Sequence, residues 1–206
     1  MAHVALMLET TPDPPSDADL MARLARGEVE PLGELYLRHG RAVTRVLGQA
    51  LAGTAARADL EDLCHETFLT AHRLAPRYQE RGKLRSWLFK IAFGKARGLR
   101  RKLWVRRRAH GRLRDEGRAA VGPVAVASAQ NQEVRRQIGE TMAALSPDQR
   151  EVLILAVGEG LSGRQIAETL GISHNAVRAR LHRGRAAIQA ALRAATGAAN
   201  GSEDGP

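Results

Sequence analysis

The sequence predicts an all-α protein of two helical domains, a four-helix N-terminal bundle and a C-terminal helix-turn-helix bundle joined by a flexible linker. Two observations support this prediction. Apolar residues recur at three- and four-residue steps along most of the chain, which is the spacing of one helix face. Capping patterns, in which Ser precedes Asp or Gln by three residues, stand at the start of several of these segments.

Composition excludes several classes of protein. The chain has 206 residues and one cysteine, so a disulfide framework and a zinc site of two or more thiolates are both excluded. No apolar run is long enough to span a bilayer, and the N-terminus lacks the basic start of a secretory signal. We therefore expect a globular cytoplasmic protein without a metal or a cofactor.

The N-terminal domain is expected over residues 16–103, after a disordered arm at 1–15 that is rich in Thr and Pro. The third helix has the most regular apolar stripe, on which Cys64 is expected to be a small core residue. Trp87 lies on the inward stripe of the fourth helix and is also expected in the core. The four predicted helices run from about Ser16 to Gly27, Val29 to Leu51, Asp59 to Ala75 and Leu84 to Lys102.

A linker is expected over residues 104–130, where no helical period persists and Gly recurs. The second domain is expected at 131–195, and the short polar tail after it is predicted to be disordered (196–206). Within this domain, a capping box at residues 146–149 stands just before the apolar run 152–157. The run could be a buried strand by itself, but the capped start favours a helix.

The C-terminal domain contains a predicted helix-turn-helix. Ser162 and Gln165 form a second capping box, and Gly171 can adopt the left-handed conformation that ends a short helix. Ser173 caps the next helix, which is apolar on one side and basic on the other. Two helices joined by a tight Gly-containing turn, the second of them basic, form the pattern that places a helix in the DNA major groove.

Spacing alone selects residues on this second helix that could read DNA. Arg178, His182 and Arg185 lie at i, i+4 and i+7, so one stripe can reach successive base edges. Arg180 and Arg183 flank the stripe on the side of the phosphates. The alternative is an ordinary two-helix hairpin with a solvated Arg face.

Positive charge is concentrated in the middle of the chain. Residues 81–120 carry 15 Lys and Arg against 2 Asp and Glu, whereas residues 1–80 carry 8 against 12 and residues 121–206 carry 9 against 8. Such a block is typical of a polyanion binder, because each neutralised phosphate releases condensed counterions. A solvated basic linker is the alternative for the part at 105–118.

The helix-turn-helix segments resemble a known family. SPDQREVL at 146–153, GLSGRQIAETLGIS at 160–173 and VRARLHRGR at 177–185 resemble the fourth conserved region of bacterial RNA polymerase sigma factors of the sigma-70 family. The compact extracytoplasmic-function (ECF) subfamily fits best. In the first domain, DLCHETF at 62–68 and RSWLFKIA at 85–92 resemble two helices of the family's second region.

The resemblance implies a dissociable subunit of RNA polymerase and not an enzyme. It implies that the third helix docks on a coiled coil of the largest polymerase subunit through Asp62, Leu63, His65 and Glu66. Asp62 and Glu66 are like charges at i, i+4, which mildly destabilises an isolated helix and suits a basic partner. The chain departs from the family pattern in Cys64 and His65, where Val and Gln are usual.

The resemblance also places capture of the promoter −10 element on the loop 76–83 and on the outward side of the next helix. Opening a duplex costs on the order of a few kcal/mol per unstacked base. A protein without ATP can offset this cost only by binding the opened strand. The residues expected to bind that strand are Tyr78, Arg81, Lys83, Arg85, Lys90, Lys95, Arg97, Arg100 and Arg101.

The −35 element is expected to be read as duplex by the second helix of the helix-turn-helix. The family pattern favours Arg183 as a reader where helical spacing alone favours Arg185, and we give the family pattern more weight. The candidate −35 residues are Ser173, His174, Asn175, Arg178, Ala179, Arg180, His182, Arg183 and Arg185.

The expected partners are core RNA polymerase, promoter DNA and an anti-sigma factor, because the family often pairs with one. The alternative function is a helix-turn-helix regulator of closed duplex, which would leave the N-terminal likeness unused. An enzyme is not expected, since paired carboxylates, a phosphate-cradling glycine loop and a nucleophile beside a base are all missing. Cys64, His65 and His72 straddle two faces of one helix and are too few for a zinc site.

Overall fold

The structure is a computed structural model, which describes residues 13–52, 54–80, 82–109 and 139–200. Within these residues the predicted all-α class is confirmed. In the first half, α1 spans Asp17–Ala25, α2 Pro31–Leu51, α3 Arg57–Leu74, a 3-10 turn Ala75–Arg77, and α4 Leu84–Ala109. In the second half, α5 covers residues 139–144, α6 Pro147–Leu153, a π-helical turn Ile154–Gly158, α7 Gly163–Leu170, and α8 His174–Asn200.

Local features of the sequence define the starts of the first three helices. The Ser16 Oγ accepts from the Asp19 N–H at 3.2 Å, and the Asp19 carboxylate accepts from the Ser16 N–H at 3.1 Å, so the predicted capping box is confirmed. Pro31 occupies the first turn of α2, where its missing N–H would have no helical partner. At the start of α3 the Asp59 carboxylate accepts from the Ala56 N–H at 2.8 Å.

The core of the first domain lies between α2, α3 and α4, and α1 packs across α2. Cys64 is fully buried there, so its prediction as a core residue is confirmed. Its Sγ donates to the Gly40 carbonyl at 3.6 Å, and burial raises the pKa of the thiol. Trp87 is half-buried against this core, whereas Phe89 is buried completely.

Two helices extend further than the sequence predicts. α4 continues to Ala109, through the first six residues of the predicted linker, because no Gly or Pro interrupts residues 103–109. The Arg108 guanidinium lies over the Trp104 ring at 5.2 Å, a contact that supports this exposed turn. α8 continues to Asn200, into the predicted tail, through an Ala-rich segment of high helix propensity. The linker residues 110–130 lie outside the described residues.

In the second domain, α6 and α7 each begin with a confirmed capping box. The Ser146 Oγ accepts from the Gln149 N–H at 3.3 Å, and the Ser162 Oγ accepts from the Gln165 N–H at 3.4 Å. The run 152–157 is helical, as its capped start predicted, but it changes from α to π geometry at Ile154.

The two domains pack on each other. α4 contacts α7, while α2 contacts α6 and the π-helical turn. Buried apolar residues of both domains form one continuous cluster, in which Val152 and Leu155 of the second domain join Leu47 and Ala50 of the first. Burial of these apolar side chains, together with ion pairs between the domains, therefore defines the position of the second domain.

The Cys64 thiol is expected to resist thiol reagents until the first domain unfolds. Its Sγ is buried and its pKa is raised, so little reactive thiolate is present near neutral pH. A chromogenic disulfide reagent should therefore react negligibly with the native protein and with one thiol per chain in guanidinium. Cys64→Ser gives the blank. Fast reaction of the native protein would contradict the burial.

Candidate polymerase and nucleic-acid interfaces

One side of α3 presents the residues predicted to bind polymerase. Asp62, His65 and Glu66 are exposed, whereas Leu63 is buried, with 9% of its surface exposed. Leu63 thus supports this surface from beneath, and the other three can touch a partner directly. Leu69, one turn further along, is an exposed apolar side chain that was not predicted from the sequence. Its outward position at i+4 from His65 could have indicated it.

Aromatic packing holds His65 in place. Its ring stacks on Tyr36, with centroids 5.2 Å apart and planes inclined by 6°. Tyr36 in turn meets Phe68 edge to face at 5.1 Å. Burial raises the pKa of the Tyr36 phenol, so the ring is neutral at physiological pH. His65, which replaces the usual Gln, is therefore presented on a rigid platform.

The cations predicted to bind the −10 strand lie on α4 and the loop before it, but most of them are paired. The Lys95 Nζ lies 3.1 Å from the Glu66 carboxylate. Lys90 and Arg101 are exposed, and Arg81 lies outside the described residues. The four cations that pair with carboxylates of the second domain are Lys83, Arg85, Arg97 and Arg100.

Tyr78, also predicted at the −10 site, packs against Trp87 with ring centroids 4.8 Å apart. Burial, together with the nearby Glu80 carboxylate, raises the pKa of Tyr78 to about 12. The half-buried ring therefore offers part of its face to a base, and Phe89 offers none. The predicted −10 surface therefore offers more cationic groups than aromatic rings.

Glu159, just after the π-helical turn, joins the two domains. Its Oε1 lies 2.7 Å from the Arg45 Nη2, and its Oε2 contacts the Arg85 Nη2. The side chain is 1% exposed, so its charge depends on these two guanidinium groups for compensation. Lys83 and Glu168 form a second, more exposed link between the domains.

Arg150 and Glu151 are adjacent in α6 and both are buried. The Glu151 Oε2 lies 2.8 Å from the Arg97 Nη1, and its Oε1 lies 3.5 Å from the Arg100 Nη2. Arg150 donates at 2.7 to 3.0 Å to the carbonyl groups of Met142, Ala143, Leu145 and Ala50.

Burial shifts both charged groups towards neutrality. It lowers the pKa of the Arg150 guanidinium, with the charge of Arg100 acting in the same direction, and it raises the pKa of Glu151 against the influence of Arg97 and Arg100. The burial of this pair was not predicted from the sequence, because adjacent opposite charges in a helix usually face solvent. Their position between a capping box and an apolar run could have indicated burial.

The helix-turn-helix has the predicted local geometry. Gly171 is in the left-handed conformation, with φ 68°, and ends α7. The Ser173 Oγ accepts from the Ala176 N–H at 3.1 Å, so this hydroxyl caps α8. His174 packs against Gly163, where an added Cβ would lie 2.9 Å from its Nε2. Ile172 contacts the core beneath the turn.

One open surface of α8 brings together Asn175, Arg178, His182 and Arg185, with Ala179 half-buried among them. This is the stripe expected from helical spacing. Arg183 is exposed beside the stripe and does not line that surface. Arg180 faces the other way, and its Nη2 lies 2.6 Å from the Asp148 carboxylate of α6.

α8 packs closely on α6 at Gly184. A Cβ at this position would lie 2.7 Å from the Cδ1 and 3.2 Å from the Cγ of Leu153, so a side chain cannot be added without displacing Leu153. The close approach and the Arg180–Asp148 ion pair together fix the angle at which α8 leaves the domain.

The described part of the chain offers neither a metal-binding cluster nor a membrane-spanning helix. It holds no group of three or more His, Cys, Asp or Glu side chains placed to bind a metal ion. None of its helices combines the length and the apolar character needed to cross a membrane.

Substitution of Gly184 by Ala is expected to destabilise the fold relative to a matched glycine. Gly98→Ala, in open space within α4, should raise the free energy of unfolding by about 0.5–1 kcal/mol through helix propensity. The free energy of unfolding of Gly184→Ala should be lower than that of Gly98→Ala by about 1–3 kcal/mol, because Leu153 must move to make room for the added methyl group.

Chemical denaturation of both variants measures this difference. Leu153→Ala, combined with Gly184→Ala, should recover part of the loss as a favourable coupling energy. Equal free energies of unfolding for Gly98→Ala and Gly184→Ala would contradict the close contact between α8 and α6.

Two family models match the chain. The Sigma-70 region 2 model matches residues 35–106, and the Sigma-70 region 4 model matches residues 135–188. The first match lies on α2 to α4 and the second includes the helix-turn-helix.

Curated relatives match most of this chain. RNA polymerase sigma factor NccH of Alcaligenes xylosoxydans is 32% identical over 184 residues, which is 87% of this chain and 96% of the relative. RNA polymerase sigma factor CnrH of Cupriavidus metallidurans is 32% identical over 188 residues, or 86% and 96%. The ECF RNA polymerase sigma factor SigE of Mycolicibacterium smegmatis is 32% identical over 77% of this chain and 60% of its own length.

Solved structures share the fold. CnrH in complex with the cytosolic domain of CnrY has a TM-score of 0.61 and 27% identity, covering 85% of this chain and 96% of that one. RpoE in complex with the anti-sigma factor NepR from Bartonella quintana has a TM-score of 0.61 at 23% identity, covering 80% and 98%. The chain belongs to the ECF subfamily of sigma-70 RNA polymerase sigma factors, which bind core polymerase and promoter DNA to direct the initiation of transcription.

Proposed function

We propose that the two domains divide promoter recognition between them. Residues 16–103 bind core polymerase and hold the melted −10 strand, and residues 131–195 read the −35 element as duplex. The observation that carries this proposal is the open surface of α8, where Asn175, Arg178 and His182 lie together beyond the turn at Gly171. A single helix with polar groups a turn apart suits the width of the major groove.

The acidic side of α3 is the proposed polymerase contact. Asp62 and Glu66 are exposed on it beside the stacked His65, and Leu63 underlies it. Carboxylates on a rigid helix suit a basic partner, because complementary charge speeds encounter and fixes register. In this role the chain contributes binding and positioning, and the polymerase contributes the chemistry.

The cations of α4 are the proposed contacts of the melted −10 strand. Lys90 and Arg101 are exposed, and Lys83, Arg85, Arg97 and Arg100 lie on the same element or the loop before it. Phosphate contacts supply affinity without sequence information, so base selection has to come from other groups. Tyr78, whose ring is half-buried against Trp87, is the aromatic candidate for a base contact.

An anti-sigma factor is the proposed regulatory partner, and the cytoplasm, where polymerase meets DNA, is the proposed location. Two structural relatives support the partner: CnrH is in complex with the cytosolic domain of CnrY, and RpoE with the anti-sigma factor NepR. Run-off transcription with core polymerase, together with permanganate mapping of opened thymines, tests the proposal as a whole. Binding without strand opening would favour a regulator of closed duplex.

Charge reversal on α3 should weaken polymerase binding. Asp62→Lys with Glu66→Lys replaces two exposed carboxylates by cations and should weaken the complex with core polymerase by more than tenfold, as expected for about 2 kcal/mol or more. Glu30→Lys is the matched control, since Glu30 is a highly exposed acid of the same domain outside α3. Pull-down and run-off transcription measure the effect, and wild-type behaviour of the double variant would refute the contact.

Alanine substitutions on α8 should separate base readers from phosphate contacts. Arg178→Ala should cost about 1–3 kcal/mol of discrimination at one −35 base pair. A phosphate contact should instead weaken all promoters alike and reduce the salt dependence of binding. Applying the same assay to Arg183→Ala and Arg185→Ala decides which of these two reads a base. If Arg178→Ala leaves every −35 preference intact, the proposed reading surface is wrong.

A further inference from the structure

Acidic groups of the second domain pair with cations of the proposed −10 surface of the first. Four of its cations pair with three carboxylates: Lys83 with Glu168, Arg85 with Glu159, and both Arg97 and Arg100 with Glu151. The three carboxylates come from α6, from the residue after the π-helical turn, and from α7. They therefore follow the cationic surface along several elements and do not form one local contact.

Two of these carboxylates are removed from solvent. The side chains of Glu159 and Glu151 are 1% and 3% exposed, and each meets two guanidinium groups, including Arg45 in the case of Glu159. Guanidinium groups bind carboxylate and phosphate oxygens in similar geometries. A strand phosphate and one of these carboxylates would therefore compete for the same donors.

We propose that the free protein is closed, with Glu151, Glu159 and Glu168 of the second domain in the place of the −10 strand phosphates. This inference rests on the proposed role of the α4 cations in binding that strand. The side chains of Lys83, Arg85, Arg97 and Arg100 are 20% to 52% exposed, but strand phosphates can take them over only by displacing these carboxylates, so the second domain inhibits one site of its own chain.

The closed form blocks one interface and leaves the others open. The acidic side of α3 is exposed, and so is the α8 surface that contains Arg178 and His182. Polymerase and −35 duplex can therefore dock on the closed protein, whereas single-stranded DNA must first displace the three carboxylates. Separation of the domains on polymerase would then release the four cations for the melted strand.

A zero-length crosslink tests closure in the unmodified protein. The Lys83 ammonium and the Glu168 carboxylate are in contact, so a carbodiimide should join them as an amide that mass spectrometry detects. We expect this crosslink in the free full-length protein at low salt, and its loss when oligothymidine is added to saturation. Absence of the crosslink in the free protein, with Lys83→Arg as the blank, would overturn the closed form.

A neutralised carboxylate tests competition with DNA. Glu159→Gln should open the protein and raise its affinity for labelled oligothymidine by roughly tenfold, because the apparent affinity scales with the open fraction. The plot of log affinity against log salt concentration should also become steeper, by about 2 to 3 in slope. Each phosphate contact on a single strand contributes about 0.7 to this slope, and four cations are released. Phosphate contacts are independent of sequence, so this probe needs no known promoter.

Glu34→Gln is the matched control for this assay. It removes the same charge and one of the two carboxylates that Arg38 contacts inside the first domain, the other being that of Asp17. If Glu34→Gln raises the affinity as much as Glu159→Gln, the effect is net charge alone and the proposal fails. Because Glu159 is buried, the more exposed Glu168→Gln provides a second variant, for which a smaller gain of the same sign is expected.

The outcomes separate this inference from the proposed function. A crosslink that persists at saturating oligothymidine would show that the strand does not compete with the carboxylates, and would overturn the inference. Wild-type transcription by the Asp62 and Glu66 double reversal would refute the proposed polymerase contact, but would leave the crosslink result unaffected. Loss of the crosslink on adding core polymerase and a transcribed promoter fragment would support both.

Discussion

Compensation of two neighbouring buried charges determines how the structure is assembled. Arg150 and Glu151 sit side by side in α6, and an unpaired ion at either position would cost several kcal/mol of desolvation, roughly. Arg150 is satisfied by four backbone carbonyls, one of which, that of Ala50, belongs to the first domain. Glu151 is satisfied by Arg97 and Arg100 of the first domain. Neither charge is fully compensated unless the two domains meet.

The same helix positions the DNA-reading surface. Leu153 of α6 meets the backbone of α8 at Gly184, and Asp148 of α6 holds Arg180. The helix that orients α8 therefore also carries the charges directed at the first domain. A change in how α6 sits on α2 and α4 moves the reading surface with it, so promoter reading and domain contact share one rigid element.

Local chemistry explains what could be predicted from sequence. The capping boxes at Ser16, Ser146 and Ser162, the turn at Gly171 and the burial of Cys64 all depend on residues within a few positions, and all are confirmed. Helix ends without local stops were predicted less well, because exposed turns of α4 and α8 need no apolar period. The placement of Glu159 could not be predicted, since its partners lie 74 and 114 residues away in the chain.

Charge gives this interface a property that apolar packing alone would not. A purely apolar contact between the domains would offer DNA nothing to exchange with, because phosphates cannot replace methyl groups. An Arg–carboxylate pair can exchange for an Arg–phosphate pair with the guanidinium still satisfied, so the cost of opening is partly returned when the strand binds. The exposed Lys83–Glu168 pair is weakened by salt, whereas the Glu151 and Glu159 pairs are partly buried, because their carboxylates are shielded from solvent, and are screened less. The contact can therefore hold the domains together at physiological salt and still yield to a polyanion.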